Sequence, residues 1–287
     1  MVSHPLFPIF ATLLPLSGMH FAFNRSNLTQ MKQRLPLLIL LLVLPAVFYA
    51  QGGFGLPPGF DLKQFQKNEE QAMWFIQYDS MITRVSTFDR GMAGKDFVCY
   101  QDKKGWKVVA GTIDSLGMSN PRYFQVDVKN VVTEMKKKGD TVLVASIARA
   151  IFNANIQHKK LNLATSAVWK KYARVNTDQT ITVSMFCDQD AGGIIWYGPE
   201  CAWWYTADGK NVVTTKIINT APMMAGVNSN TINLSCPKEK MPTVGTMWLA
   251  YRMMQKYPHI NVAYKTGTST LNYNATDKTY SWQHAAN

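Results

Sequence analysis

One apolar segment divides this chain into a leader and a part long enough to fold. A basic start at residues 31–34 (Met-Lys-Gln-Arg) precedes an uncharged run over residues 35–50, after which the sequence turns polar. This pattern is typical of a secretory signal peptide. The run is shorter than the roughly 18 to 20 residues of a transmembrane helix, and Pro36 and Pro45 weaken it further. We therefore predict a signal peptide at residues 31–50 and export to the periplasm or the extracellular space.

Residues 1–30 carry a second apolar stretch, and two interpretations of it stay open. Either translation starts at Met31 and these residues are an annotation extension, or both stretches form a membrane hairpin. Internal prolines make the first stretch a poor helix, so we favour the start at Met31. Cleavage after Gly52 would place Ala50 at the small-residue position, whereas cleavage after Ala50 would place bulky Phe48 there.

The rest of the chain reads as one basic domain. Removal of residues 1–50 lowers the formal net charge from +12 to +9. The electrostatic field of a positively charged protein favours anionic partners. The basic residues are dispersed, however, and we expect no specific nucleic-acid binding. Residues 51–60 are a Gly/Pro-rich lead-in, and no linker, charge block or repeat divides residues 61–287.

Periodicity predicts three helices and a larger number of short strands. Apolar residues at helical spacing cover residues 61–85, 140–157 and 244–256, and Asp61 and Gly139-Asp140 supply start signals. Strand-like runs are found at residues 96–100, 106–113, 123–128, 180–186, 193–197, 202–205, 212–218, 261–264, 269–273 and 280–282. This order predicts an α+β fold: antiparallel β-meanders with about three helices packed against the sheet, in a single domain.

The densest aromatic patch spans residues 196–205. In a strand, Trp203 and Tyr205 would point one way and Trp204 the other, so both faces must accept a large ring. The rings either pack in the core or form a binding face, in which case Trp196, Tyr197 and Trp204 are the expected contact residues.

Asp188, Asp190 and Glu200 are the acidic residues close to that patch. Paired carboxylates beside tryptophans would suit a glycosidase, in which one acid protonates the leaving oxygen and the other attacks or activates water. A calcium-stabilised loop or a plain solvated turn explains the same residues, and we favour the turn because Asp-Gln-Asp-Ala-Gly-Gly is turn chemistry.

The four cysteines all lie in the part predicted to be exported, where disulfides persist. Cys187 with Cys201 and Cys99 with Cys236 are the pairing that the spacing favours, and four small buried thiols are the alternative.

Other chemistry finds little support. Ser235-Cys236-Pro237-Lys238 and Lys265-Thr266-Gly267 match two signatures of penicillin-recognising enzymes, but the third is missing and the spacing is too short. The histidines of the predicted mature chain, His158, His259 and His284, stand alone, so we predict no metal site and no cofactor.

The sequence therefore predicts an exported, non-catalytic binding or envelope protein that uses its aromatic strands. A glycan, an anionic polymer or a protein is the expected partner. A secreted glycosidase-like hydrolase using Asp188, Asp190 or Glu200 is the alternative, and a purely structural envelope component with every tryptophan buried is a third interpretation.

Overall fold

A computed structural model of the chain describes residues 55–136, 139–163, 169–187, 189–191 and 194–287. For residues 189–191 it describes the backbone only. The predicted leader, residues 31–50, and the segment before it lie outside the described residues. Among the described helices, none is long and apolar enough to cross a membrane.

The three predicted helices are confirmed, each with a side chain that caps its first turn. They are α1 (Leu62–Phe88), α2 (Thr141–Lys160) and α3 (Val244–Met253). Asp61 accepts a hydrogen bond from the Gln64 amide at 3.1 Å, and Asp140 accepts one from the Leu143 amide at 2.9 Å. These side chains satisfy amide groups that have no partner within the helix.

The first sheet is an antiparallel meander in the order β1-β2-β3-β4. Its strands are β1 (Asp96–Asp102), β2 (Gly105–Asp114), β3 (Gly117–Val126) and β4 (Val132–Glu134). Asp102 pairs with Gly105, so residues 103–104 form a two-residue hairpin turn between β1 and β2. The strand expected over residues 123–128 belongs to β3 and begins earlier, at Gly117.

The second and third sheets are interleaved along the chain. The second, in the order β10-β9-β6-β5, is antiparallel and consists of β5 (Trp169–Val175), β6 (Ile181–Cys187), β9 (Glu200–Tyr205) and β10 (Val212–Ile218). The third, in the order β11-β8-β7, consists of β7 (Gln189–Ala191), β8 (Ile194–Tyr197) and β11 (Met223–Met224).

The fourth sheet contains a parallel pair that the sequence did not predict. Its order is β12-β13-β14-β15-β16, with β12 (Gly226–Asn228), β13 (Thr231–Cys236), β14 (His259–Tyr264), β15 (Gly267–Asn274) and β16 (Thr279–Ala286). Strands β13 and β14 run parallel, because α3 carries the chain back to the start of the sheet. The other pairs of this sheet are antiparallel.

Two hydrophobic clusters lie on opposite sides of the first two sheets. Alternate residues such as Val98, Val109 and Val183 pack with α2 in one cluster. Their sequence neighbours, such as Cys99 and Val108, belong to a larger cluster with α1, α3 and the fourth sheet. Strands β2 and β6 are therefore buried on both faces, which explains their near-continuous apolar sequences. The fold is a single α+β domain, as predicted.

Candidate functional site

The predicted aromatic patch is divided between two sheets. Strand β9 carries Trp203, Trp204 and Tyr205, whereas β8 carries Trp196 and Tyr197. Trp203 and Tyr205 are buried in the cluster around α2, and Trp204 points to the other face, where it is partly exposed. The predicted alternation of the rings on β9 is thus confirmed.

Trp204 lies in a row of side chains that crosses the second sheet. Arg174, Thr182, Trp204 and Thr214 are register partners on β5, β6, β9 and β10, so their side chains share one face. Ala202 and Lys216 belong to the next row of the same face, beside Trp204. We call these six residues, Arg174, Thr182, Ala202, Trp204, Thr214 and Lys216, the Trp204 surface.

The charge of the Trp204 surface is positive. Lys216 and Thr214 are exposed on the edge strand β10. Arg174 at the other end is half-buried, its Nη2 lies 3.5 Å from Oε1 of Glu70, and its guanidinium lies over the Trp74 ring at 5.8 Å. The Asn176 amide donates to the Thr182 hydroxyl at 2.8 Å, which fixes the residue beside the indole. Thr182 is only 4% exposed, so the surface offers solvent an indole ring, the hydroxyl of Thr214 and an exposed ammonium.

The two aromatic residues of β8 have different surroundings. Tyr197 is only 3% exposed, and its hydroxyl accepts a hydrogen bond from the Ser235 amide at 2.6 Å. Burial raises the pKa of Tyr197 to about 12. Trp196 is half-buried, and it shares its face with Ile194 and Met224, which are 46% and 58% exposed. Tyr197 therefore joins the third sheet to the fourth, while Trp196 belongs to a small exposed apolar group.

Glu200 is buried against the start of α3. The Gly245 amide donates to its Oε2 at 3.1 Å. Burial raises the pKa of Glu200, although the Thr243 hydroxyl, the Gly245 amide and the charge of Lys216 act in the opposite direction. A Cβ atom at Gly245 would lie 2.7 Å from the same oxygen, so the contact requires glycine. The carboxyl accepts a hydrogen bond from the first turn of α3, where the helix dipole favours an anion.

The space beside Glu200 is too small for a substrate. A cavity with Phe186, Tyr197 and Leu249 in its walls offers about 10 Å³ to water-sized solutes. That volume holds about one water molecule and no sugar ring. Of the other two carboxylates in the hydrolase hypothesis, Asp188 lies outside the described residues. Asp190 lies on β7, where only the backbone is described.

No disulfide joins the four cysteines, all of which are described and buried. The expected pairing of Cys187 with Cys201 is therefore not formed. Cys201 is the register partner of Met185, so Cys187 on the same strand is only its diagonal neighbour, at about 7–8 Å between backbone positions. A disulfide needs about 4.4–6.8 Å between Cα atoms.

The second expected pairing, Cys99 with Cys236, is also wrong. Cys99 lies on the first sheet and Cys236 on the fourth, where its thiol lies 3.6 Å from the carbonyl oxygens of Met241 and Ala263. Burial raises the pKa of Cys201 and of Cys236 to about 12, so neither thiol is a reactive thiolate at neutral pH.

The surroundings of His284 and Ser235 indicate a structural role for both residues. Within the described ranges, no group of His, Cys, Asp and Glu side chains could hold a metal ion. His284 Nδ1 lies 2.8 Å from the hydroxyl of Ser269, which is fully buried. Ser235 lies on β13, and it does not open a helix as the nucleophile of penicillin-recognising enzymes would.

The fourth sheet presents a second exposed face, which the sequence analysis did not single out. Strand register and alternation place sixteen exposed or half-exposed residues on the side away from α1 and α3. They are Gly226, Asn228, Thr231, Asn233, Ser235, His259, Asn261, Ala263, Thr268, Thr270, Asn272, Asn274, Thr279, Ser281, Gln283 and Ala285. None of these positions carries Asp, Glu, Lys or Arg. We call this set the amide-hydroxyl face.

Comparison of the chain with protein-family models, with curated proteins and with solved structures gives no match.

Proposed function

We propose that the protein is an exported, non-catalytic binding protein that holds an acidic polysaccharide on the Trp204 surface. The observation that carries the proposal is the partly exposed indole of Trp204 on a strand whose alternate residues are buried. The rigid sheet fixes this ring in place, so little side-chain entropy is lost when a ligand binds.

The neighbours of the indole favour a sugar polymer with negative charge. A tryptophan ring offers a broad apolar surface, to which the C–H face of a pyranose can bind. Thr214 flanks the ring with an exposed hydroxyl group, and Lys216 supplies an exposed ammonium for a carboxylate or a sulfate. The formal net charge of +9 that remains after removal of residues 1–50 adds long-range attraction for a polyanion.

Export rests on the sequence of residues 31–50. Amino-terminal sequencing of the protein recovered from the periplasm or the medium should find a chain that begins at Gln51 or Gly53. Recovery of the protein in the cytosol with its first fifty residues intact would contradict export and leave the binding proposal standing on its own.

The binding experiment compares variants of the purified protein by calorimetry with soluble acidic polysaccharides at low ionic strength. We expect Trp204→Ala to weaken binding at least about tenfold, or about 1.4 kcal/mol, and Trp204→Phe to restore part of the loss. Lys216→Gln should weaken binding less and reduce its dependence on salt. Lys238→Gln, at an exposed lysine that follows β13, is the matched control and should bind like the wild type. Equal binding by Trp204→Ala, or no binding by the wild type, would refute the proposal.

A further inference from the structure

The amide-hydroxyl face differs from an ordinary solvated sheet. A soluble protein surface carries about 25–35% charged residues, so sixteen positions would carry about four to six. This face carries none, although the chain as a whole is strongly basic. An anionic ligand therefore finds its attraction elsewhere on the molecule, and the chemistry of this face suits an uncharged partner.

The side chains of the face are also uniformly short. Asn, Thr and Ser dominate, Gln283 and His259 are the longest, and the aromatic residues of the same strands point to the other side. A sheet covered with short side chains is broad and shallow. Neighbouring strands lie about 4.7–4.9 Å apart, so five strands offer a platform about 19 Å wide with a regular repeat. An extended, repeating polymer matches such a platform.

Hydrogen bonds within the face orient its amides before any ligand arrives. Asn261 donates to Oδ1 of Asn233 at 2.8 Å, and the Thr270 hydroxyl donates to Oδ1 of Asn261 at 2.9 Å. His259 Nδ1 lies 2.9 Å from Oδ1 of Asn272 in the next row. Asn233, Asn261, Thr270 and Gln283 are successive register partners on four strands, which we call the central row. A fixed row lowers the entropy lost on binding.

Amides and hydroxyls both donate and accept hydrogen bonds, as the hydroxyl groups of a sugar do. From the absence of charge, the short side chains and the oriented central row, we propose that the amide-hydroxyl face binds an extended neutral polysaccharide. This site is separate from the Trp204 surface and does not depend on it. Each sugar contributes a small contact, so affinity comes from the repeat along the polymer.

The test measures binding of the purified full chain to insoluble neutral polysaccharides: cellulose, chitin, a β-1,3-glucan and raw starch. The triple variant Asn233→Ala, Asn261→Ala, Thr270→Ala removes the polar groups of the central row. We expect this variant to bind at least about tenfold more weakly than the wild type to whichever of the four polymers the wild type binds. The matched control is Thr133→Ala with Thr215→Ala, at exposed strand positions of the first two sheets, and it should bind like the wild type.

A second variant keeps the result decisive if the triple variant unfolds. Ser281→Glu with Gln283→Glu adds two charges at exposed positions of the edge strand β16 and should also weaken binding. Trp204→Ala should leave binding to the neutral polymer unchanged, so failure of this proposal is distinguishable from failure of the Trp204 surface. The proposal is overturned if the wild type binds none of the four polymers, or if the folded variants of the face bind as well as the wild type.

Discussion

The Tyr172 hydroxyl donates a hydrogen bond to Oδ2 of Asp79 at 2.7 Å, and this contact joins the second sheet to α1. Burial raises the pKa of Asp79, and the bond to Tyr172 partly opposes that rise. The Tyr172 ring is itself buried and stacks on Phe75 of the same helix at 4.7 Å. The Tyr172 hydroxyl thus supplies the carboxyl of Asp79 with a donor that water would otherwise provide.

We expect Tyr172→Phe to lower the free energy of unfolding by about 1–2 kcal/mol, because Asp79 loses the Tyr172 hydroxyl, the largest of the interactions that offset its burial. Chemical denaturation at neutral pH measures the change. Tyr123→Phe is the control, since it removes a hydroxyl from another buried tyrosine whose pKa is raised by burial and by the charge of Asp140. An equal loss in both variants would contradict the role assigned to the Asp79 contact.

Glu200 predicts a pH dependence of stability with a definite sign. Its pKa is raised in the folded state, so the fold binds this proton more tightly than the unfolded chain does. The contribution of the protonated carboxyl is complete below the unfolded pKa and is lost as pH rises through the folded pKa.

The variant Glu200→Gln cannot ionise and should escape that loss. Its stability relative to the wild type is therefore expected to increase as pH rises from about 4 to 8. Denaturation curves of both proteins across this range provide the measurement. A difference that does not change with pH would show that Glu200 titrates alike in the folded and unfolded chains.

Gly209 combines a left-handed backbone with a close approach to α2. Its φ is +74°, and an added Cβ would lie 2.1 Å from the Ser146 carbonyl oxygen. Gly94 has a similar φ of +77° with nothing within 4 Å of the added atom. We expect Gly94→Ala to cost only the backbone strain, about 1 kcal/mol, and Gly209→Ala to cost clearly more. Thermal unfolding of the two variants separates strain from collision, and equal losses would exclude the collision.

The buried cysteines predict the outcome of a thiol titration without reductant. Unfolded protein should react at four thiols, because no disulfide joins the described cysteines. Folded protein should react slowly at all four, since each is buried and burial raises the pKa values of Cys99, Cys201 and Cys236. Two thiols or none in the unfolded protein would restore the disulfide hypothesis.

Local signals predicted most of the elements. Asp61 and Asp140 mark helix starts because a short acidic side chain satisfies the first amides of a helix. Alternation placed Trp203 and Trp204 on opposite faces correctly, because the two-residue period of a strand is a property of the backbone alone.

Contacts between segments that are distant in the sequence could not be predicted from such local signals. The burial of Glu200 depends on α3, which begins more than forty residues later, and nothing beside Glu200 in the sequence indicates it. The parallel pairing of β13 with β14 likewise depends on the path of α3. The amide-hydroxyl face is visible in the sequence in one strand. There, Thr268, Thr270, Asn272 and Asn274 occupy alternate positions, a polar pattern without aromatic or acidic residues.

Val108 and Val109 are neighbours in one strand and belong to different hydrophobic clusters, so the two clusters share β2 and we expect them to unfold together. Loss of packing around α2 would expose one face of β2 and β6 to solvent. The opposite face of the same two strands packs in the cluster that contains α1. A cavity made on either side should therefore lower a single, shared unfolding transition instead of creating a separate early one.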